Sequence, residues 1–233
     1  MSTITTKFNT KSDTIKRRLS VIGKEYQART KRKFNRQAFS KLETEEQAYW
    51  LGFILADGYI NEDRGFLKIK LMKADEDHLI KFCIFMQEDP SYIKYETGGA
   101  NTRDNICVVV EFDSRELVND LVKYNLHQCK SGKEEPIQIK NDKLQLAYIR
   151  GMIDGDGHIE DGYFKYVGSL KSCQYIKNIF VQWYNFNPDK KYIYEHGTIY
   201  SFEIRSCKVN QILKQIYNGN IYLERKYQTV QNF

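Results

Sequence analysis

An apolar segment ending in Asp-Gly occurs twice in this chain, and the duplication limits its folds more than any other feature of the sequence. The copies span residues 50–58 and 149–157, so Asp57 and Asp156 lie 99 positions apart (156 − 57 = 99). Each copy has glycine at its third place and a small residue at its seventh. In a helix these two places share a face, and small residues there let two helix backbones pack closely. The repeat predicts two motif helices in contact through Gly52, Ala56, Gly151 and Gly155.

The same geometry predicts a cation site at the helix ends. Gly58 and Gly157 suit the end of a helix, which leaves Asp57 and Asp156 at C-terminal ends, where the helix dipole is negative. Two carboxylates brought together there repel each other unless a cation lies between them. A hard divalent ion with oxygen ligands, Mg²⁺ or Mn²⁺, fits this requirement. We expect it to be held by both carboxylates and by the neighbouring carbonyls of Ala56 and Gly155.

The two segments resemble the signature of the LAGLIDADG homing endonucleases. The second copy departs from it at the first, second, fourth and seventh places, and the first copy has Leu55 where the signature has Asp. The resemblance runs from about residue 43 to the C-terminus. It implies a mixed α/β (α+β) monomer of two pseudo-symmetric αββαββα repeats, with antiparallel sheets forming a saddle over DNA. The activity it implies is metal-dependent double-strand cleavage of a long, partly asymmetric DNA site, as in intron homing.

The resemblance also implies basic residues in the active site. The family places one near the end of the second strand of each repeat, and Lys73 occupies that place in the first half. The matching stretch of the second half is Gly168-Ser169, with Lys171 two positions further on. The catalytic residues implied are therefore Asp57, Asp156, Lys73 and Lys171, and the missing second lysine predicts unequal cleavage of the two strands.

Composition is consistent with an intracellular protein. The 233 residues, 41% of them hydrophobic, suffice for a sizeable core. No run of eighteen apolar residues or signal peptide is present. The five cysteines are scattered, which favours reduced thiols over a zinc site or a disulfide framework. We expect no membrane association and no secretion, with a location in cytoplasm, nucleoid or organelle.

The positive charge is concentrated in an N-terminal arm. The chain has a net charge of +6, yet residues 1–42 hold twelve Lys and Arg and only two acidic residues. Such an arm binds phosphates by default, with salt-sensitive affinity. Residues 14–24 resemble the last part of a helix-turn-helix, and a simple basic helix is the alternative. The candidate contacts in this arm are Lys16, Arg17, Arg18, Lys31, Arg32 and Lys33.

Hydrophobic periodicity predicts the same order of elements in both halves: helix, hairpin, helix, hairpin, helix. The first repeat is predicted over 43–129, a linker over 130–142 and the second repeat over 143–233. Alternation along the strands turns one set of side chains outward, as expected for reading a DNA major groove. That set is Lys68, Lys70, Lys165, Ser201, Glu203 and Arg205. Hairpin tips and strand starts add Arg64, Arg103, Lys190 and Lys191 as phosphate contacts.

A protein that binds nucleic acid without cutting it is the alternative function. It could be an RNA maturase that assists intron splicing or a DNA-binding regulator. Retention of Asp57 and Asp156 favours cleavage, because a pure binder has no need for two anions at negative helix ends. Leu55 and the missing second lysine favour the alternative.

Overall fold

Capping residues fix the starts of the two motif helices. Helix α1 (Glu45–Asp57) begins after Thr44, whose side chain accepts from the Gln47 backbone N–H while the Gln47 side chain accepts in return. The other motif helix (Asp142–Asp156) begins after Asn141, whose side chain accepts from two backbone N–H groups. Both helices end at the aspartates of the repeated segment.

The structure is a computed structural model and describes residues 32–97 and 106–233. Contacts separate Met1–Lys33 from a unit at Phe34–Phe233. This second unit begins before the predicted boundary at residue 43, because Ala38 and Phe39 are buried in its core and Phe34 packs on Phe112. Arg32 and Lys33 belong to the first unit. The other predicted contacts of the arm are Lys16, Arg17, Arg18 and Lys31, and they lie outside the described residues. The predicted hairpin contact Arg103 also lies outside them.

The first repeat follows the predicted order of elements. After α1 come β1 (Gly58–Asn61), β2 (Phe66–Met72), α2 (Glu76–Phe85), β3 (Lys94–Thr97), β4 (Ile106–Asp113) and α3 (Arg115–Val122). Short 3-10 turns precede α2 and β3.

The second repeat has the same order and one more helix. It comprises α4 (Asp142–Asp156), β5 (Gly157–Glu160), β6 (Tyr163–Gly168), α5 (Leu170–Tyr184), β7 (Ile193–His196), β8 (Ile199–Arg205) and α6 (Val209–Ile216). The additional C-terminal helix, which the periodicity did not predict, is α7 (Glu224–Gln231). The predicted mixed α/β class with two antiparallel sheets is confirmed.

Each repeat forms one four-stranded antiparallel sheet, ordered β1-β2-β4-β3 in the first and β5-β6-β8-β7 in the second. The registers match, since Gly58 pairs with Ile69 and Gly157 pairs with Tyr166. Equivalent positions in the two repeats can therefore be read directly from strand pairing. In the part of the chain described, no helix is both long enough and apolar enough to cross a membrane.

The motif helices α1 and α4 pack backbone against backbone. A Cβ atom added to Gly52 would lie 2.0 Å from the Tyr148 carbonyl oxygen, and one added to Gly151 would lie 2.0 Å from the Tyr49 carbonyl oxygen. Real Cβ atoms do not approach oxygen so closely, so each position requires glycine. The glycines predicted at the repeat interface lie at this contact, which brings the ends of the two helices together.

Candidate functional site

Asp57 and Asp156 end the two packed helices on the same side of the contact. A Cβ atom on Gly155 would lie 2.3 Å from the Ala56 Cβ and 3.5 Å from the Asp57 backbone nitrogen. The last turns of α1 and α4 therefore touch. Asp57 is exposed and Asp156 is half-buried, so both carboxylates are open to a ligand from solvent.

The electrostatics of the helix ends show that the two acids interact. Burial, together with the charge of Asp57, raises the pKa of the Asp156 carboxyl to about 7, and Lys130 opposes the shift. The dense surroundings of the helix end also raise the pKa of Asp57, although its side chain keeps contact with solvent, and Lys226 and Lys130 oppose that shift. An added cation would relieve the repulsion between the carboxylates.

Two lysines that the sequence analysis did not single out bind these helix ends. The Lys130 ammonium donates to the Ala56 carbonyl at 3.0 Å. The buried Lys226 ammonium donates to the carbonyls of Ile153 at 2.7 Å, Asp154 at 2.8 Å and Gly155 at 3.5 Å. Each lysine satisfies carbonyls that a helix C-terminus leaves unpaired and complements its negative dipole end.

Both ammonium groups are partly removed from water. Burial lowers the pKa of Lys130, with Asp156 opposing the shift most strongly. Burial likewise lowers the pKa of Lys226 to about 8, opposed first by Asp154. Lys130 follows Asp57 by 73 residues (130 − 57) and Lys226 follows Asp156 by 70 (226 − 156), separations that helix or strand periodicity does not relate. Nothing in the local sequence around either lysine marks it.

The donors at the helix ends fit a hard divalent ion in part. Carboxylates of Asp57 and Asp156 are the ligand type that Mg²⁺ prefers. The carbonyls of Ala56 and Gly155, expected as further ligands, already accept from Lys130 and Lys226. Among the described residues no three His, Cys, Asp or Glu side chains cluster as a metal site. Two carboxylates completed by water and phosphate oxygens are nevertheless the usual way in which Mg²⁺ is held.

Comparison with known proteins identifies the architecture. No protein-family model and no curated protein matches the chain. Among solved structures, the homing endonuclease I-WcaI bound to its DNA recognition sequence matches with a TM-score of 0.55 and 13% identity, over 97% of this chain and 95% of that one. The chain has the LAGLIDADG fold.

Two further structures show the breadth of this LAGLIDADG fold. I-DmoI in complex with DNA and Ca matches with a TM-score of 0.52 and 15% identity, over 85% of this chain and 100% of that one. The N-terminal LAGLIDADG domain of DUF199/WhiA matches with a TM-score of 0.51 and 15% identity, over 88% of this chain and 100% of that one.

The two lysines expected from the LAGLIDADG resemblance have other partners. Lys73 follows β2, and its ammonium lies 5.6 Å from the centre of the Tyr95 ring. By strand register the equivalent residue of the second repeat is Leu170, one position before Lys171. The Lys171 ammonium pairs with Glu135 at 2.7 Å. Within the described chain, the lysines that bind the motif-helix ends are instead Lys130 and Lys226.

The first sheet of the LAGLIDADG fold presents lysines that are held by one glutamate. Lys68 and Lys70 lie 3.6 Å and 3.3 Å from the Glu96 carboxylate. Desolvation raises the pKa of Glu96, but the hydrogen bonds and charges of Lys70 and Lys68 together outweigh it, so the pKa lies below its usual value. Arg64 is exposed, with its guanidinium 5.1 Å from the Phe66 ring centre.

The second sheet has a comparable cluster around Glu203. Its carboxylate accepts from Lys165 at 3.0 Å, from Ser201 at 2.7 Å and from Tyr163 at 3.2 Å. The expectation that Ser201 is accessible for base contact is wrong. Ser201 is fully buried because its small side chain lies between His196 and Glu203, which both hydrogen-bond to it. Arg205, Lys190 and Lys191 are exposed.

Proposed function

We propose that this protein is a site-specific DNA endonuclease. The outward sheet faces bind double-stranded DNA at a long, partly asymmetric site, and phosphodiester bonds are hydrolysed at the joined ends of α1 and α4. The proposed enzyme acts as a monomer with internal pseudo-twofold symmetry, as expected for a homing endonuclease. Its proposed cofactor is Mg²⁺ or Mn²⁺, held by Asp57 and Asp156.

One observation carries the proposal: two carboxylates end two helices whose backbones touch. A helix C-terminus disfavours an anion, and here the charge of Asp57 also adds to the raised pKa of Asp156. Such an arrangement lowers the folding stability of the protein unless a cation binds beside the carboxylates. It therefore supports a site that binds a cation together with an anionic ligand. The similarity to homing endonucleases solved with DNA supports the same conclusion.

The chain's own residues have distinct roles in the proposed reaction. Asp57 and Asp156 would hold the divalent ion, which when bound would lower the pKa of water and stabilise charge on the phosphate oxygens. Lys130 and Lys226 are the basic groups nearest the pair. An ammonium beside a scissile phosphate stabilises negative charge that develops on it, and each is fixed by the helix carbonyls.

Cleavage selection from a randomised duplex library with Mg²⁺ tests the proposal. Asp57→Asn and Asp156→Asn are the test variants, and Asp142→Asn is the matched control, because Asp142 lies at the opposite end of α4. The wild type and the control are expected to recover one preferred long site cut on both strands. Neither test variant should cut. Salt-sensitive binding without cleavage by the wild type would overturn the catalytic part.

A non-cleaving binder, such as an RNA maturase or a DNA-binding regulator, is the second candidate. It is favoured by Leu170, an apolar residue where the first repeat has Lys73. The match to the LAGLIDADG domain of WhiA also shows that the fold is not confined to proteins described as homing endonucleases. Comparing binding of single-stranded RNA, structured RNA and duplex DNA separates these possibilities if no cleavage is found.

A further inference from the structure

A pocket of about 300 Å³ opens at the outer end of the second sheet, between the starts of β6 and β7 and the end of β8. Three cations line it, each placed over a tyrosine ring. The Arg205 guanidinium lies 4.6 Å from the ring centre of Tyr163, its cross-strand neighbour. Two lysine ammonium groups lie similarly: Lys190 is 5.7 Å from the Tyr192 ring and Lys191 is 5.1 Å from the Tyr194 ring.

These three cations keep their charge available. Among the residues that the structure describes, none of Lys190, Lys191 and Arg205 forms an ion pair, and the one carboxylate in the lining, Glu203, is bound to Lys165. An aromatic ring orients a cation through its quadrupole without neutralising it. The other outward lysines differ, because carboxylates partly cancel their charge. The pocket is therefore positioned and charged for an anion.

The first sheet lacks this set of cations at the equivalent positions. Strand register places Asp113 opposite Phe66 where the second sheet has Arg205 opposite Tyr163. Lys94 is the equivalent of Tyr194, because Lys94 pairs with Val109, Tyr194 pairs with Ser201, and Val109 and Ser201 are themselves equivalent. Pro90 and Ser91 precede Lys94 by four and three residues, as Lys190 and Lys191 precede Tyr194, so the first repeat has no lysine at these two positions. These positions therefore carry three positive charges in the second repeat. In the first repeat they carry one positive charge, on Lys94, and one negative charge, on Asp113.

We infer that the pocket formed by Lys190, Lys191 and Arg205 binds a backbone phosphodiester of duplex DNA, and that the second repeat is the anchoring half of the DNA interface. This inference rests on the DNA binding proposed above. Three oriented guanidinium and ammonium groups match the oxygens of a phosphate. Their neutralisation by DNA releases counterions, so the pocket contributes affinity that does not depend on base sequence and falls with salt.

Salt-dependent binding to a mixed-sequence 30-base-pair duplex, without divalent metal, tests the inference. The test variant combines Lys190→Ala, Lys191→Ala and Arg205→Ala. The matched control combines Lys140→Ala, Lys143→Ala and Lys214→Ala, which removes the same charge from the segment before α4, from α4 and from α6. Thermal unfolding of both checks folding. The slope of log affinity against log salt should become shallower by about 0.9 in the test variant, for the loss of one phosphate contact, and should not change in the control.

The outcomes separate this inference from the proposed function. Equal slopes for the test and control variants, with DNA binding retained, would overturn the anchor and leave the endonuclease proposal standing. A wild-type protein that does not bind duplex DNA would overturn both. Inorganic phosphate, added at constant ionic strength, should displace the duplex no better than chloride does. Selective displacement by phosphate, lost in the test variant, would mean a site for free phosphate and would overturn the assignment to the DNA backbone.

Discussion

Asp154 is the centre of a buried hydrogen-bond network that crosses the repeat interface. Its carboxylate accepts from the hydroxyls of Tyr49 and Tyr217, both at 2.6 Å, and from the Leu223 backbone at 2.7 Å. Because the single Tyr49 proton is donated to Asp154, the His78 ring nitrogen 2.9 Å away must donate to the Tyr49 oxygen. Burial lowers the pKa of His78, so the ring is neutral and this hydrogen bond places its single proton on Nε2.

Acidification is expected to destabilise the protein through His78. Burial, followed by the positive charge of Lys81, lowers the pKa of His78 to about 3, so below about pH 6.5 the unfolded chain binds a proton that the folded chain does not. Stability from this group is complete above pH 6.5 and is lost as pH falls towards 3. Between pH 7.5 and 5.5 the loss should be about 1.4 kcal/mol.

Urea unfolding at both pH values measures this effect, with His78→Gln as the comparison. The variant keeps a side-chain donor for Tyr49 but does not titrate. Asp156 acts in the opposite direction, because its raised pKa favours the folded state on protonation, and it contributes equally to both proteins. A wild type and variant with the same pH dependence would contradict the prediction.

Lys226 and Lys130 are expected to matter more for cleavage than Lys73 and Lys171. Lys226→Met and Lys130→Met should each lower the single-turnover cleavage rate on the selected site by at least about 10²-fold, the usual effect of removing one charge-stabilising donor. DNA affinity should change little. Lys171→Met, which removes only the exposed pair with Glu135, serves as the control. A large loss of cleavage rate in Lys171→Met together with a small loss in Lys226→Met would contradict the prediction. The charge-stabilising role would then belong to the lysines implied by the family resemblance.

The two motif helices depend on the absence of side chains where they meet. Gly151→Ala would place a methyl group 2.0 Å from the Tyr49 carbonyl oxygen, which belongs to the backbone and cannot rotate away. We expect α1 and α4 to separate, with a stability loss of about 3 kcal/mol or more, at the upper end for overpacked sites.

Denaturant unfolding of Gly151→Ala, beside Gln174→Ala on the exposed face of α5, provides the measurement. Cleavage should fall further than stability alone explains, because Asp57 and Asp156 move apart with the helices. A variant of wild-type stability would show that the contact is looser than the structure indicates.

Helix α7 shows where prediction from sequence stops. In the described residues, hydrophobic periodicity located the other helices and all eight strands to within about two residues. In α7 only Lys226 and Val230 are buried, so it has no apolar stripe to detect. It is held by polar contacts with distant parts of the chain, including Arg225 with Asp75 at 3.0 Å and Glu224 with Lys81 at 3.9 Å.

The candidate site was predictable only as far as the repeated segment itself. Asp57, Asp156 and the small residues could be assigned, because helix geometry relates neighbours in sequence to one face. Lys130 and Lys226 could not, since tertiary folding alone brings them to the helix ends. Burial of Ser201 depended on the size of its neighbours, and strand alternation contains no such information.

The molecule as a whole is a duplicated fold whose halves have diverged at functional positions. Three pairs of equivalent positions carry different residues in the first and second repeats. They are Lys73 and Leu170, Leu55 and Asp154, and Asp113 and Arg205. Lys130 lies in the connection between repeats, whereas Lys226 is fixed within a helix. In the proposed reaction, the environments of the two scissile phosphates therefore differ.

Unequal cleavage of the two DNA strands is the expected result of this divergence. A supercoiled plasmid carrying the selected site should pass through a nicked intermediate, and end-labelled duplexes should show rates differing several-fold between strands. Leu170→Lys should reduce the difference if the position contributes. Simultaneous linearisation, with no nicked form at early times, would contradict the prediction.

The backbone contact at Gly52 and Gly151 also determines how interchangeable the halves are. Main-chain atoms are common to all sequences, so packing between the repeats requires of a new partner only glycine at the third place of its motif helix and a small residue at the seventh. Selectivity is added by Asp154, whose donor Tyr49 comes from the other half. A chimaera made by grafting a foreign first half would therefore assemble through its helices, yet the buried Asp154 carboxylate would lose one of its two hydroxyl donors unless a tyrosine is grafted at the position of Tyr49 as well.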